Sequence, residues 1–211
     1  MAHQRYYTAA GELVPGVTTV LGGLAKPALV PWANRLGLQG IDTNKYTDEA
    51  AMIGTLAHYL VECQLGEIEP DLVDYTPAQL ERANLALGSF NAWLGGHTLK
   101  PSIVEGQLVS EKYHFGGTID AYGLLDGVPT LLDFKTSSGI YDEHKFQTAA
   151  YWKLLAELGH PVKGVRILRI SRDGGGLEEH RLSGKEVIAG WKVFAGALAV
   201  YQARKAFKKA A

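Results

Sequence analysis

Between residues 101 and 136 the chain reads as three short β-rich runs, IVEGQLVS, GTIDAYGLL and TLLDFKT, separated by turn residues. Asp126-Gly127 stands between the second and third runs, and this dipeptide favours a two-residue hairpin. Strand side chains alternate between faces, so Asp133 and Lys135 project one way while Leu132, Phe134 and Thr136 project the other. A hairpin through Asp126-Gly127 places Asp120 across from the Asp133 region. Two carboxylates brought together repel each other unless a cation sits between them. A hard divalent ion with oxygen ligands is the natural partner. An isolated Asp-x-Lys reads more simply, as a surface strand with a cross-strand ion pair. The upstream Asp120 is what favours the metal reading.

Helical patterns flank this block. Thr47-Asp48-Glu49 gives an acidic start to a helix over residues 47–65, with Ile53, Leu56, Leu60 and Cys63 at helical spacing and Gly66 after its end. A second helix is expected from Pro77 to Leu94, stopped by Gly95-Gly96. Upstream, VTTVL reads as a short strand or a helix start capped by Thr18 or Thr19, and Trp32–Leu38 as a short helix. Downstream come a helix over 142–157, a strand in VRILRISRD with LEEHRL pairing back onto it, and an amphipathic helix over 185–209 that is basic at its end. This order predicts an α/β (α+β) domain with a mixed central sheet flanked by helices. Residues 1–100 form a mainly helical N-terminal part and 101–211 the core sheet with C-terminal helices, within one compact domain.

The 211 residues suffice to bury a core. The single cysteine, Cys63, excludes an internal disulfide and any four-cysteine iron–sulfur or zinc site. It reads as a small buried residue in a cytoplasmic protein. No apolar run approaches the ~20 residues that span a bilayer, so no membrane partner is expected. The net charge of −1 means that any nucleic-acid surface must be local rather than global.

The motifs resemble those of the PD-(D/E)xK nucleases. Asp120 followed by Asp133-Phe134-Lys135 matches the order of that core. The RecB-type exonuclease branch is closer still, including viral members similar to the mitochondrial genome-maintenance exonuclease. GTLAH at 54–58 resembles its G-x-x-x-H motif, GGTIDAYG at 116–123 its G-x-I-D motif, LLDFKTS its D-F/Y-K-T motif, and Gln147-x-x-x-Tyr151 its Q-x-x-x-Y motif. PGVTTVL and KPALVPWANRLG extend the resemblance upstream, so that it runs from about residue 14 to 152.

The resemblance implies a restriction-endonuclease-like core and a Mg²⁺- or Mn²⁺-dependent deoxyribonuclease, an exonuclease preferring single-stranded DNA ends. Asp120, Asp133 and Lys135 would be catalytic. His58, Glu105, Asp120, Asp133 and the Phe134 carbonyl would hold one or two ions, with no iron–sulfur cluster. Thr136, Ser137, Gln147 and Tyr151 would contact DNA. Glu111 is a weaker rival to Glu105, and Glu62 reads as structural. Lys145, Lys153, Arg166, Arg169 and Arg172 are candidates for a basic lining, as are Arg204, Lys205, Lys208 and Lys209. Tyr6, Tyr7 and Trp32 are candidates for stacking on unpaired bases. The same residues leave two alternatives open: a structure-specific or restriction-like endonuclease, and a DNA-binding module without catalysis.

Overall fold

The computed structural model describes residues 4–210. Two short strands, β1 (Tyr6–Tyr7) and β2 (Leu13–Val14), pair antiparallel and lead into four helices: α1 (Val17–Leu21), α2 (Leu29–Leu38), α3 (Thr43–Leu65) and α4 (Pro77–Leu94). The meander β3 (Leu99–Ser110), β4 (Phe115–Leu125), β5 (Val128–Lys135) follows. Then come α5 (Asp142–Glu157), β6 (Gly164–Ile170), β7 (Leu177–Arg181) and α6 (Gly184–Ala210). The main sheet has the order β3-β4-β5-β6-β7, and only β5 and β6 run parallel. A parallel neighbour needs a crossover, and α5 supplies it. The fold is therefore the expected mixed α/β sheet flanked by helices. Among the described residues no helix is long and apolar enough to cross a membrane.

The turn between β4 and β5 is where the sequence puts it. Asp126 and Gly127 have φ of 52° and 80°, as a type I′ turn requires, and Leu125 pairs with Val128 to close it. Two boundaries differ from expectation. α3 begins at Thr43, a turn earlier than Thr47, because the Asp42 side chain accepts from the Asn44 and Lys45 N–H groups and caps it there. VTTVL is helical, but neither threonine caps it: Gly16 occupies that position, without a side-chain bond.

Each face of the sheet carries its own apolar layer. On one, Val17 and Leu21 of α1, Leu154 of α5 and Phe194 of α6 cover Ile119 and Leu131. On the other, Leu56 and Leu60 of α3 and Phe90 of α4 cover Ala121, Leu132 and Phe134. A strand covered on both sides should be apolar throughout. β5 departs from that at Thr130, whose hydroxyl donates to the Val128 carbonyl at 2.9 Å, and at its end, where Asp133 and Lys135 stand. Cys63 is buried and free, as expected.

Gly117 on β4 lies under the ring of Tyr151. A Cβ there would stand 2.6 Å from one ring carbon and 3.1 Å from a Val17 methyl. Gly117→Ala is expected to cost about 1–3 kcal/mol through overpacking. Denaturant unfolding measures it, and an unchanged midpoint would mean that the ring has room to move.

Candidate metal centre

The site forms where the sheet opens. Pairing of β4 with β5 runs from Leu125–Val128 to Ala121–Leu132 and stops. Beyond that point the Asp120 side chain takes over as acceptor: its Oδ2 receives the Phe134 N–H at 2.5 Å. On the other side, pairing with β3 steps from Val104–Ala121 to Gly106–Ile119. Glu105, skipped between them, has φ of 47°. A non-glycine residue in the left-handed region costs about 1–3 kcal/mol and persists only where its surroundings hold it.

α3 brings the third group. Gly54 and His58 lie one turn apart on its face. A Cβ on Gly54 would meet the Thr136 hydroxyl at 2.6 Å, so the missing side chain lets the end of β5 approach the helix. The His58 ring then reaches Asp120, with Nδ1 3.8 Å from Oδ1. Ligand atoms of His58, Glu105 and Asp120 all lie within 4.8 Å of one another.

Asp133 is fully buried and stands outside that trio. Lys135 Nζ lies 2.6 Å from Asp133 Oδ2, a charge contact, but neither carboxylate oxygen has an aligned hydrogen-bond partner. Lys135 donates instead to the Phe134 carbonyl at 3.1 Å.

The electrostatics follow from burying several ionisable groups side by side. Burial pushes the Asp133 carboxyl up to about 6, against the pull of Lys135 and aided by the charge of Asp120. Burial, then Asp120 and Glu62, pushes Glu105 up to about 8. Burial also raises Asp120. His58 is driven down to about 4 by burial and by Lys135, which keeps its imidazole neutral and able to donate a lone pair. A divalent ion would reverse the penalty on the carboxylates. One nitrogen donor among carboxylate oxygens could hold a metal ion, and the two orphaned Asp133 oxygens are the kind of buried group that a cation network satisfies.

No protein-family model matches this chain, and neither does any curated protein. Among solved structures it is similar to LHK-Exo, solved in complex with dAMP, at a TM-score of 0.39 and 13% identity over 72% of this chain and 81% of that one. It is also similar to SSO0001, at a TM-score of 0.29 and 20% identity over 69% of this chain and 73% of that one. Likenesses this weak carry no argument about chemistry, which rests on the residues themselves.

A cleft of about 1270 Å³ opens over the trio, with Thr136 and Ser137 in its wall. The Ser137 hydroxyl donates to the Gly139 carbonyl at 2.8 Å. Gln147 and Tyr151 do not line this cleft. Gln147 donates to the Tyr151 hydroxyl at 2.8 Å, and Tyr151 is buried on Gly117, where burial and the two aspartates hold its phenol well above the usual range. Tyr151 thus lies in the core, with the half-buried Gln147 over its hydroxyl.

Of the basic candidates, Arg204, Lys205 and Lys208 line a different groove, and four of the other group are engaged elsewhere. Arg166 pairs with Glu179, Arg169 with Glu178, and Lys145 with Asp142 and Glu186. Lys153 lies over the Tyr113 and Trp191 rings. Only Arg172 of that group reaches the cleft, where Lys26 and Arg35 join it. Glu111 accepts from the Ala9 N–H at 2.8 Å, in contrast to Glu105. Trp32 lines the cleft beside Tyr46, their rings 6.1 Å apart, whereas Tyr6 is buried against Gly116.

Two wall residues carried no sequence expectation of this kind. Glu62 sits one turn beyond His58 on α3, with its carboxyl raised by burial and by Asp120. His144 of α5 is lowered to about 4 by burial and by Lys135. Spacing of four from His58, and of three from Gln147, was the available signal for each.

Proposed function

We propose that this chain is a Mg²⁺- or Mn²⁺-dependent deoxyribonuclease that hydrolyses phosphodiester bonds, working as an exonuclease on single-stranded ends in DNA replication, recombination or repair. The observation that carries the reading is the convergence of His58, Glu105 and Asp120 within 4.8 Å beside the buried Asp133–Lys135 pair. His58, Glu105 and Asp120 would hold the ion, with Asp133 and the Phe134 carbonyl completing the donor set. A bound divalent ion makes water a stronger nucleophile near neutral pH and offsets charge on the phosphate.

The chain's own groups do the rest. Lys135 adds positive charge where negative charge grows on the phosphate, held in a water-poor setting that strengthens it. Thr136 offers a hydroxyl donor to a phosphate oxygen, and Ser137 does so by turning its hydroxyl from the Gly139 carbonyl. Arg172 and Arg35, with Lys26 shared with Glu143, offer local positive charge to the DNA backbone in a protein that is otherwise near neutral. Trp32 and Tyr46 offer ring faces to unpaired bases, which favours a single strand over a duplex.

Digestion of end-labelled single- and double-stranded DNA, with chelator and then with Mg²⁺ or Mn²⁺, tests the reading. The expected result is ion-dependent release of nucleotides from linear single strands, with covalently closed circles spared. Cleaved circles would replace the exonuclease form with an endonuclease. Ion-independent DNA binding without any cleavage would overturn the catalytic reading altogether.

A further inference from the structure

Helix α6 buries one side of itself, through Val187, Phe194 and Leu198. Its other side is not simply polar. Val193, Val200 and Phe207 are 40%, 59% and 75% exposed. They recur every seven residues, the spacing of a seam along which a second helix packs. The same helix carries six cations, Lys185, Lys192, Arg204, Lys205, Lys208 and Lys209, against a single acid, Glu186. Glu186 is engaged at the helix start, where it accepts from the Ser183 N–H and hydroxyl.

A groove of about 620 Å³ runs between this face and the end of α1. Val20, Leu24 and Ala197 form part of its floor, and Lys192, Arg204, Lys205 and Lys208 stand around it. No acid lines it, and among the described residues none of those four cations belongs to an ion pair.

We propose that this face of α6 is a docking site for an acidic amphipathic helix of a partner protein. An apolar stripe on the incoming helix fits the Val193–Val200–Phe207 seam, and carboxylates on its flanks meet the cationic rim. Two other occupants fit less well. A single strand would stack its bases on ring faces, and this face offers two, Tyr201 and Phe207, among aliphatic side chains. A second copy of this chain would set the same cations against each other, which like-charge repulsion opposes. The groove shares no lining residue with the cleft over the metal centre, so a docked helix leaves that cleft open.

Fluorescence anisotropy with a labelled synthetic peptide of about four helical turns, leucine on one face and glutamate on the other, tests this on the full chain. The expected result is saturable binding that weakens about tenfold or more in the triple variant K192E/R204E/K205E, and on raising the salt. Val200→Asp should weaken it too. Both variants should keep the wild-type melting curve, and Val200→Asp the wild-type DNA cleavage rate. A matched peptide with lysine for glutamate should not bind. If the acidic peptide fails to bind, or binds the charge-reversed protein equally well, the proposal is overturned. A loss of single-stranded oligonucleotide affinity in the triple variant would overturn it in favour of a nucleic-acid track. Self-association lost in Val200→Asp would overturn it in favour of a dimer interface.

Discussion

Asp120→Asn is expected to lower DNA cleavage by roughly 10²-fold or more while leaving the metal-free protein as stable as before, or more so. The two halves of that expectation come from different atoms of one carboxylate. Oδ1 faces His58 and Oδ2 receives the Phe134 N–H. An amide of the same shape keeps a carbonyl for the Phe134 N–H but removes the charge that an ion requires. It also removes a carboxylate that burial disfavours and whose charge raises both Asp133 and Glu105. Cleavage of a linear single strand under saturating Mg²⁺ gives the first number, and thermal unfolding in chelator the second. Turnover at the wild-type rate would remove Asp120 from the active centre.

The metal-free protein should lose stability between pH 6.5 and pH 8. Glu105 ordinarily titrates at 4.5 and is pushed up to about 8 in the fold. Its stabilising contribution is complete below about 4.5 and is lost as pH rises through 8, because the unfolded chain releases the proton first. Asp133, raised from 3.8 to about 6, acts in the same sense at lower pH. His58 and His144, lowered from 6.5 to about 4, act oppositely: their contribution is present above 6.5 and fades as pH falls through 4. Below pH 6.5 these effects overlap and partly offset. Above it Glu105 dominates, and a pH step of ~1.5 units sets an upper bound of about 2 kcal/mol, reduced by solvent screening of this half-buried carboxyl. An ion that binds the ionised carboxylates should restore more stability at pH 8 than at 6.5. Urea unfolding at both values, with chelator and with Mg²⁺, decides it. Metal-free stability that is flat or rising across the window would contradict the burial of Glu105.

The hairpin was legible because its turn dipeptide is a local signal, and it carries Asp120 to the Phe134 amide beside Asp133. Helix α4 was equally plain, with Pro77 inside its start and two glycines after Leu94. The start of α3 was not, because Asp42 caps from beyond the apolar pattern that marks the helix. The place of Glu105 in the trio was implied by resemblance alone, since it depends on a skipped strand pair and a left-handed backbone. Arg166 and Arg169 are candidates for a basic lining by sequence, and their acids lie on the antiparallel neighbour β7, where Arg166 meets Glu179 and Arg169 meets Glu178 across strands. Gln147 and Tyr151 carried the right spacing but gave no sign that a glycine on β4 would admit the tyrosine ring to the core.

The opening of the sheet between β4 and β5 ties chemistry to alignment. Were β4 to slide one step along its neighbour, Ile119 or Ala121 would arrive where the Phe134 amide now finds an oxygen. That mispaired chain would strand a carboxylate among hydrocarbon and leave an amide hydrogen unanswered. A wrongly zipped molecule is therefore penalised by the same atom that equips the right one, so proofreading of the strand alignment is built into the acid itself.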